Sequence, residues 1–134
     1  MRMNHADDIL WNEDLWREPD AMKKAIEWGN APLTETAYAG FRLAASLAEN
    51  LPEDAPDELG FFDHFLFLAR KGATHEDTEV RKAVSSALIA LARRSPDWRE
   101  AVVETCEEIA GQPSGIAKQL ALQTLNDLKE REHD

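Results

Sequence analysis

Two short groups of residues carry side chains suited to acid–base or metal chemistry. His75, Glu76 and Asp77 are consecutive, and Asp63 directly precedes His64. Adjacent residues rarely converge on one metal ion, and no second histidine lies three or four positions from His75. Neighbours along a helix point away from each other, which argues against an acid–base pair of Asp63 and His64. We therefore predict that Asp77 caps a helix rather than binds a metal.

The remaining reactive side chains also favour structural roles. The only cysteine, Cys106, lies near Val102, Val103 and Ile109 on the apolar side of its helix, and burial makes a thiol inert. The acidic connector over 49–58 contains two prolines and lacks the spacing of an EF-hand loop. The sequence has no glycine-rich phosphate loop and no nucleophile-elbow pattern. We expect no catalytic residue, metal or cofactor, and no enzymatic activity.

Four glutamates stand at i, i+4, i+7 and i+8 and form one acidic stripe on a predicted helix: Glu100, Glu104, Glu107 and Glu108. A stripe of this kind either docks a basic partner or is a solvated outer face. Both interpretations remain open from the sequence.

The composition excludes several classes of partner. The 134 residues carry 26 acids against 15 bases, a formal net charge of −11. Lys and Arg must displace phosphate counterions, so this balance argues against direct nucleic-acid binding and against an anionic membrane surface. The sequence shows neither a membrane span nor a signal peptide, which predicts a cytoplasmic protein. An acidic exterior favours a protein partner, above all a basic one.

Proline, glycine and capping residues divide the chain into helices and leave little room for strands. We predict one all-α domain over 1–134, made of three helical hairpins at about 19–49, 57–94 and 96–131. Thr34, Asp77 or Thr78, Ser95 and Ser114 are the expected N-caps. An amphipathic segment before the first hairpin carries Trp11 and Trp16. These indoles either cover the open end of the stack or contact a ligand.

The chain also matches itself at an offset of 37 residues. Six apolar positions of the helix from Thr78 then fall on six positions of the helix from Gly115, and five of these pairs are apolar on both sides. The six pairs are Val80 with Ala117, Ala83 with Leu120, Val84 with Ala121, Ala87 with Thr124, Leu88 with Leu125 and Leu91 with Leu128. A period of this length is the mark of stacked supersecondary units.

Asp77, followed by Val80-Arg81, Ala83 and Ala87-Leu88, resembles the second helix of a HEAT-type repeat. The resemblance is strongest over 57–94 and weaker over 96–131 and 19–49. It implies a short right-handed α-solenoid with an N-terminal capping segment, in which the second helix of each hairpin lines a concave binding surface. The alternative is a helix bundle whose hairpins are alike because amphipathic helices look alike.

If the resemblance holds, the concave face consists of the residues opposite the apolar stripes. These are Tyr38, Phe41, Arg42, Lys82, Ser85, Ser86, Ile89, Gln119, Leu122, Gln123 and Asn126. Apolar residues on an exposed face can anchor a partner. A small error in the helical register would place them in the core instead.

Three functions follow as hypotheses. The first is a non-catalytic protein-binding module that acts as an inhibitor, a neutraliser or an adaptor. The second is an acidic DNA mimic that blocks a nucleic-acid-binding protein through the stripe from Glu100 to Glu108. The third, an enzyme or chromophore-handling protein, needs a converging polar pocket that the sequence does not show.

Overall fold

The protein is all-helical over the part of the chain that the computed structural model describes, residues 14–52, 60–112 and 115–131. A short 3₁₀ helix, Leu15–Arg17, precedes six α-helices in these ranges. The helices are α1 (Ala21–Gly29), α2 (Thr34–Asn50), α3 (Phe61–Gly72), α4 (Thr78–Ala92), α5 (Pro96–Ala110) and α6 (Gly115–Arg131).

Two of the predicted helix starts are confirmed by side-chain caps. Asp77 accepts a hydrogen bond from the Val80 amide at 3.0 Å. Ser95 accepts one from the Trp98 amide at 3.1 Å, with Pro96 in the first turn of α5. Each cap satisfies a backbone N–H that the first turn leaves without a helical partner.

Two other predicted helix ends differ from the structure. Thr34 is the first residue of α2 and not its cap, because the preceding Leu33 is the extended residue. The sequence predicts a left-handed helix stop at Gly72, but Gly72 is helical, and Gly60 is the one glycine with a positive φ in the described ranges. The expected cap Ser114 and the residues 57–59 lie outside those ranges.

The helices contact one another in a regular order. Helices consecutive in the chain pack together as α1 with α2, α3 with α4, and α5 with α6. The odd-numbered helices also contact each other in sequence, α1 with α3 and α3 with α5. The even-numbered helices do the same, α2 with α4 and α4 with α6. The even-numbered set therefore forms one row of neighbouring helices.

The apolar stripes predicted from the 37-residue offset lie in the core. All six stripe residues of α4 are at most 4% exposed. Of their six counterparts on α6, Leu125 is half-buried and the other five are buried. The self-match of the sequence therefore corresponds to two helices that bury the same face.

Phe41 lies in the core, and its predicted place on the concave face is wrong. Its side chain is 1% exposed, and its ring meets that of Phe65 edge-to-face with centroids 6.2 Å apart. A Cβ added to Gly72 would lie 2.6 Å from Phe41 Cζ, and one added to Gly29 would lie 3.7 Å from it. The ring therefore fills space that Gly72 leaves open, and it lies at ordinary contact distance from Gly29.

Arginine side chains connect the ends of helices from different parts of the chain. The Arg94 guanidinium, just after α4, donates to the carbonyls of Ala48 and Leu51 at 2.9 and 3.0 Å. These carbonyls belong to the end of α2, where helical partners are missing and positive charge is favoured. The same guanidinium lies 5.0 Å from the centroid of the Phe62 ring. Arg94 thus fixes the end of α2 against α3 and α4.

We expect Gly72→Ala to lower the free energy of unfolding by about 1–3 kcal/mol, the usual cost of overpacking a core. The new methyl group would lie 2.6 Å from Phe41 Cζ and 2.7 Å from Val84 Cγ2. Gly115→Ala is the matched control, because its Cβ meets nothing within 4 Å. Urea unfolding of the two variants measures the difference, and an equal stability of both would contradict this packing.

Candidate binding face

Eight of the eleven residues predicted for the concave face line two adjoining clefts on the even-numbered helices. The first, called the α2/α4 cleft, has a volume of about 650 Å³ and includes Tyr38, Arg42, Lys82 and Ser86. The second, called the α4/α6 cleft, has a volume of about 470 Å³ and includes Lys82, Ser85, Ser86, Ile89, Gln119 and Gln123. Lys82 and Ser86 line both clefts, so the two clefts form one continuous face.

The other three predicted residues lie elsewhere. Leu122 is 50% exposed and Asn126 is exposed, but neither lines the two clefts. Phe41 is in the core, as described above. The sequence prediction extends the polar face of α4 to the matching positions of α2. It is wrong at Phe41, because α2 buries apolar residues on more than one side.

An aromatic–cation pair forms one wall of the α2/α4 cleft. Arg42 Nη1 donates to the Tyr38 hydroxyl at 2.6 Å, and the guanidinium lies 5.6 Å from the ring centroid. The 3₁₀ helix contributes Trp16 and Arg17 to the same cleft. No pattern in the sequence predicts this contribution, since nothing in the segment shows which helices it contacts.

Ser85, which lines the α4/α6 cleft, contacts a buried hydroxyl group of α6. Thr124 is fully buried, and its hydroxyl donates to the Leu120 carbonyl at 2.8 Å. The hydroxyl oxygens of Ser85 and Thr124 lie 2.7 Å apart. Because the Thr124 hydrogen is already used, Ser85 is the donor between them. The Ser85 oxygen therefore keeps its lone pairs for a hydrogen-bond donor in the cleft.

Five further residues line the α4/α6 cleft that the sequence did not assign to the concave face: Thr78, Arg81, Ile116, Leu120 and Asp127. The Arg81 guanidinium donates to the carbonyls of His75 and Glu76 at 2.7 and 2.9 Å. Ile116 is 44% exposed. Ile116 and Asp127 continue the helical stripe of Gln119 and Gln123, so extending the predicted face by one turn each way would have found them.

The four glutamates of the acidic stripe are all exposed on α5. Glu108 Oε2 accepts hydrogen bonds from Arg70 Nε and Nη2 at 2.9 and 2.7 Å. This pair joins α5 to α3. The stripe belongs to the odd-numbered helices and contributes no residue to the two clefts.

The side chains weighed above for chemistry have structural surroundings. His75 Nδ1 accepts a hydrogen bond from the Asp77 amide at 3.0 Å. Burial, together with the nearby Glu107 carboxylate, raises the pKa of the fully buried Cys106 thiol to about 12. No group of His, Cys, Asp and Glu suited to a metal ion occurs within 14–52, 60–112 and 115–131. In the same ranges, no helix has the length and apolar character needed to cross a membrane.

The tryptophans pack against the core rather than forming one aromatic surface. Trp16, Trp28 and Trp98 are half-buried, and the Trp98 ring meets the Phe62 ring edge-to-face with centroids 5.5 Å apart. Trp11 lies outside the described residues. Trp16 packs against the core and also lines the α2/α4 cleft, so this side chain contributes to both the core and the candidate binding face.

Comparison of the chain with protein-family models, with curated proteins and with solved structures finds no match. The two clefts and their chemistry are therefore the features of this chain that indicate its function.

We expect Leu88→Ala to lower the free energy of unfolding by about 2–5 kcal/mol, the cost of a large-to-small change in a core. Leu88 is 0% exposed, whereas Leu122, on the neighbouring helix α6, is 50% exposed. Leu122→Ala should cost less than about 1 kcal/mol, because it removes little buried surface. Thermal and urea unfolding compare the variants, and similar losses at both positions would refute the helical register.

We expect the stabilising effect of the Cys106 thiol to disappear in alkali. Its pKa is about 12 when folded and 9.0 for an ordinary thiol, so the unfolded chain loses the proton first. The contribution of the protonated thiol to the free energy of unfolding is complete below pH 9 and is lost as the pH rises toward 12. From pH 8 to pH 10, wild type should lose roughly 1 kcal/mol relative to Cys106→Val. An unchanged difference in urea unfolding would show that the thiol is accessible to water.

Proposed function

We propose that this chain is a non-catalytic protein-binding module of HEAT-like build. Its binding surface is the face formed by α2, α4 and α6, and its partner is another protein. One observation carries the proposal: the residues assigned to this face from sequence converge on two adjoining clefts that share Lys82 and Ser86.

The order of helix contacts supports a stack of three hairpins. In a stack of hairpins each helix contacts its own partner and the equivalent helix of the next unit. The contacts among the odd-numbered and among the even-numbered helices follow this order. The 3₁₀ helix contacts α1 and α2, which suits a segment that covers the first unit. A short right-handed α-solenoid is the architecture that combines these features.

The chemistry of the face suits a protein surface better than a small substrate. Hydroxyl and amide groups of Ser85, Gln119 and Gln123 alternate with the apolar side chains of Ile89 and Ile116. Amides and hydroxyls adapt their hydrogen bonds to a backbone, whereas partly exposed isoleucines contribute apolar contact. The net charge of −11 attracts basic proteins and speeds their association. We assign the module to inhibition, neutralisation or adaptor work in the cytoplasm.

A DNA mimic is the second candidate, favoured by the exposed position of all four glutamates of the acidic stripe on α5. Such a protein places carboxylates where a nucleic-acid-binding cleft expects phosphates. The hydrogen bonds from Arg70 to Glu108 neutralise one of the four charges. The stripe therefore offers fewer free charges than its sequence indicates, and the binding module is the better proposal.

Capture of partners from a native cell lysate tests the two functions with matched variants. Ser86→Arg introduces a long cation where the two clefts meet, and Glu104→Arg introduces the same side chain on the acidic stripe. A binding module should retain a partner at high salt with wild type and Glu104→Arg, because shape-driven contacts are weakly screened. Ser86→Arg should weaken this retention at least tenfold.

The opposite pattern identifies the other function. A DNA mimic should retain nucleic-acid-binding proteins at low salt only, and Glu104→Arg should abolish their capture while Ser86→Arg has no effect. Circular dichroism of each variant verifies that the helices remain folded. A high-salt partner that Ser86→Arg still retains fully would refute the proposed face.

A further inference from the structure

We infer that the α4/α6 cleft binds an extended peptide segment of the partner with an acidic and a basic side chain three residues apart. The inference rests on the proposed function and specifies the chemistry of the partner. It follows from the direction of the two helices, from the hydroxyl contact between them and from the charges at the ends of the cleft.

The helices α4 and α6 run in the same direction. Arg99, near the start of α5, donates to the carbonyl of Leu128, near the end of α6, so α5 and α6 are antiparallel. Arg70 at the end of α3 contacts Glu108 at the end of α5. The end of α3 leads directly into the start of α4, so the end of α5 lies toward the start of α4. Helix α5 is therefore antiparallel to both α4 and α6.

The contact between the Ser85 and Thr124 hydroxyls shows which residues of α4 and α6 lie at the same height along the cleft. Ser85 and Thr124, with oxygens 2.7 Å apart, mark the middle of the cleft. Arg81 lies four residues before Ser85, and Asp127 lies three residues after Thr124. With a rise of about 1.5 Å per residue, the Cα atoms of Arg81 and Asp127 stand roughly 10 Å apart along the cleft. Ile116 lies toward the Arg81 end and Ile89 toward the Asp127 end.

The two ends of the cleft have opposite charge. Arg81 donates to the carbonyls of His75 and Glu76 and to the Thr78 hydroxyl, and it forms no ion pair with a carboxylate of the residues that the structure describes. Lys82, on the same side, pairs with Glu79 at 3.3 Å on the exposed surface. Asp127 makes no ion pair or hydrogen bond with a residue in the described ranges. A ligand that complements the cleft carries a carboxylate at one end and a cation at the other.

An extended backbone meets this requirement with a spacing of three residues. It rises about 3.3 Å per residue, so side chains i and i+3 are roughly 10 Å apart. An odd spacing also places them on opposite sides of the strand, one toward α4 and the other toward α6. Between them, the lone pairs of the Ser85 oxygen accept a backbone N–H of the peptide. The amides of Gln119 and Gln123 on the α6 side offer both donors and acceptors.

A phage-displayed library of random peptides, panned against the full chain, tests the inference. The selected peptides should share an acidic and a basic residue three positions apart. A chosen peptide should bind Asp127→Asn about fivefold more weakly, since a partly exposed ion pair gives a modest gain. Glu107→Gln, which removes a carboxylate on the acidic stripe, is the matched control and should leave the affinity unchanged. Panning against Asp127→Lys should select a second acidic residue in place of the basic one.

The outcomes separate this inference from the proposed function. Peptides whose binding is blocked by Ser86→Arg but which lack the charge pair would overturn the inference alone. Peptides blocked by Ser86→Arg whose affinity is unchanged by Asp127→Asn would do the same. Peptides that bind fully to Ser86→Arg occupy another surface, which would contradict the proposed face as well. A library that yields no enriched peptide would also overturn the inference. The capture of a folded partner then decides the proposed function separately.

Discussion

The ring of Phe41 is the contact on which the arrangement of the helices depends. It belongs to α2 and approaches Gly29 of α1 and Gly72 of α3, and Val84 of α4 approaches the same Gly72, so residues of four helices meet at this point. The ring fits because Gly72 carries no Cβ, whereas the missing Cβ of Gly29 leaves room for Leu68. At Gly40, next to Phe41, an added Cβ would lie 2.7 Å from Gly29 Cα, so the backbones of α1 and α2 also approach closely. Packing of this density tolerates little added volume.

The inward position of Phe41 also shapes the proposed binding face. Residues three to four apart share a side of a helix, whereas adjacent residues do not. Because the Phe41 ring points into the core, the next residue, Arg42, points toward the surface. Arg42 then pairs with the Tyr38 hydroxyl at the surface of α2. The α4/α6 cleft likewise presents polar and charged groups, with Ile89, Ile116 and Leu120 as its apolar side chains. Core packing and surface chemistry are thus consequences of the same helical register.

The sequence predicts α4 and α6 well because each has one narrow apolar stripe. Val80 and Ala117 begin stripes in which eleven of the twelve residues are buried. It predicts α2 less well, because small residues such as Ala37, Ala39 and Gly40 allow that helix to be buried on several sides. Periodicity then no longer distinguishes core from surface. The contact between Ser85 and Thr124 depends on the axial position of α4 relative to α6, and so does the position of Asp127 along the cleft. No local sequence pattern encodes this relative position.

Methyl NMR of the isoleucine side chains tests most directly whether α4 and α6 form the binding face. Ile89 and Ile116 line the α4/α6 cleft, whereas Ile109 is fully buried on α5 and Ile26 packs against the core from α1. The partner captured at high salt is added to the chain labelled at its isoleucine δ1-methyl groups. The δ1-methyl signals of Ile89 and Ile116 should shift on binding, while those of Ile26 and Ile109 stay unchanged. Shifts at Ile26 or Ile109, with Ile89 and Ile116 unaffected, would contradict the proposed face.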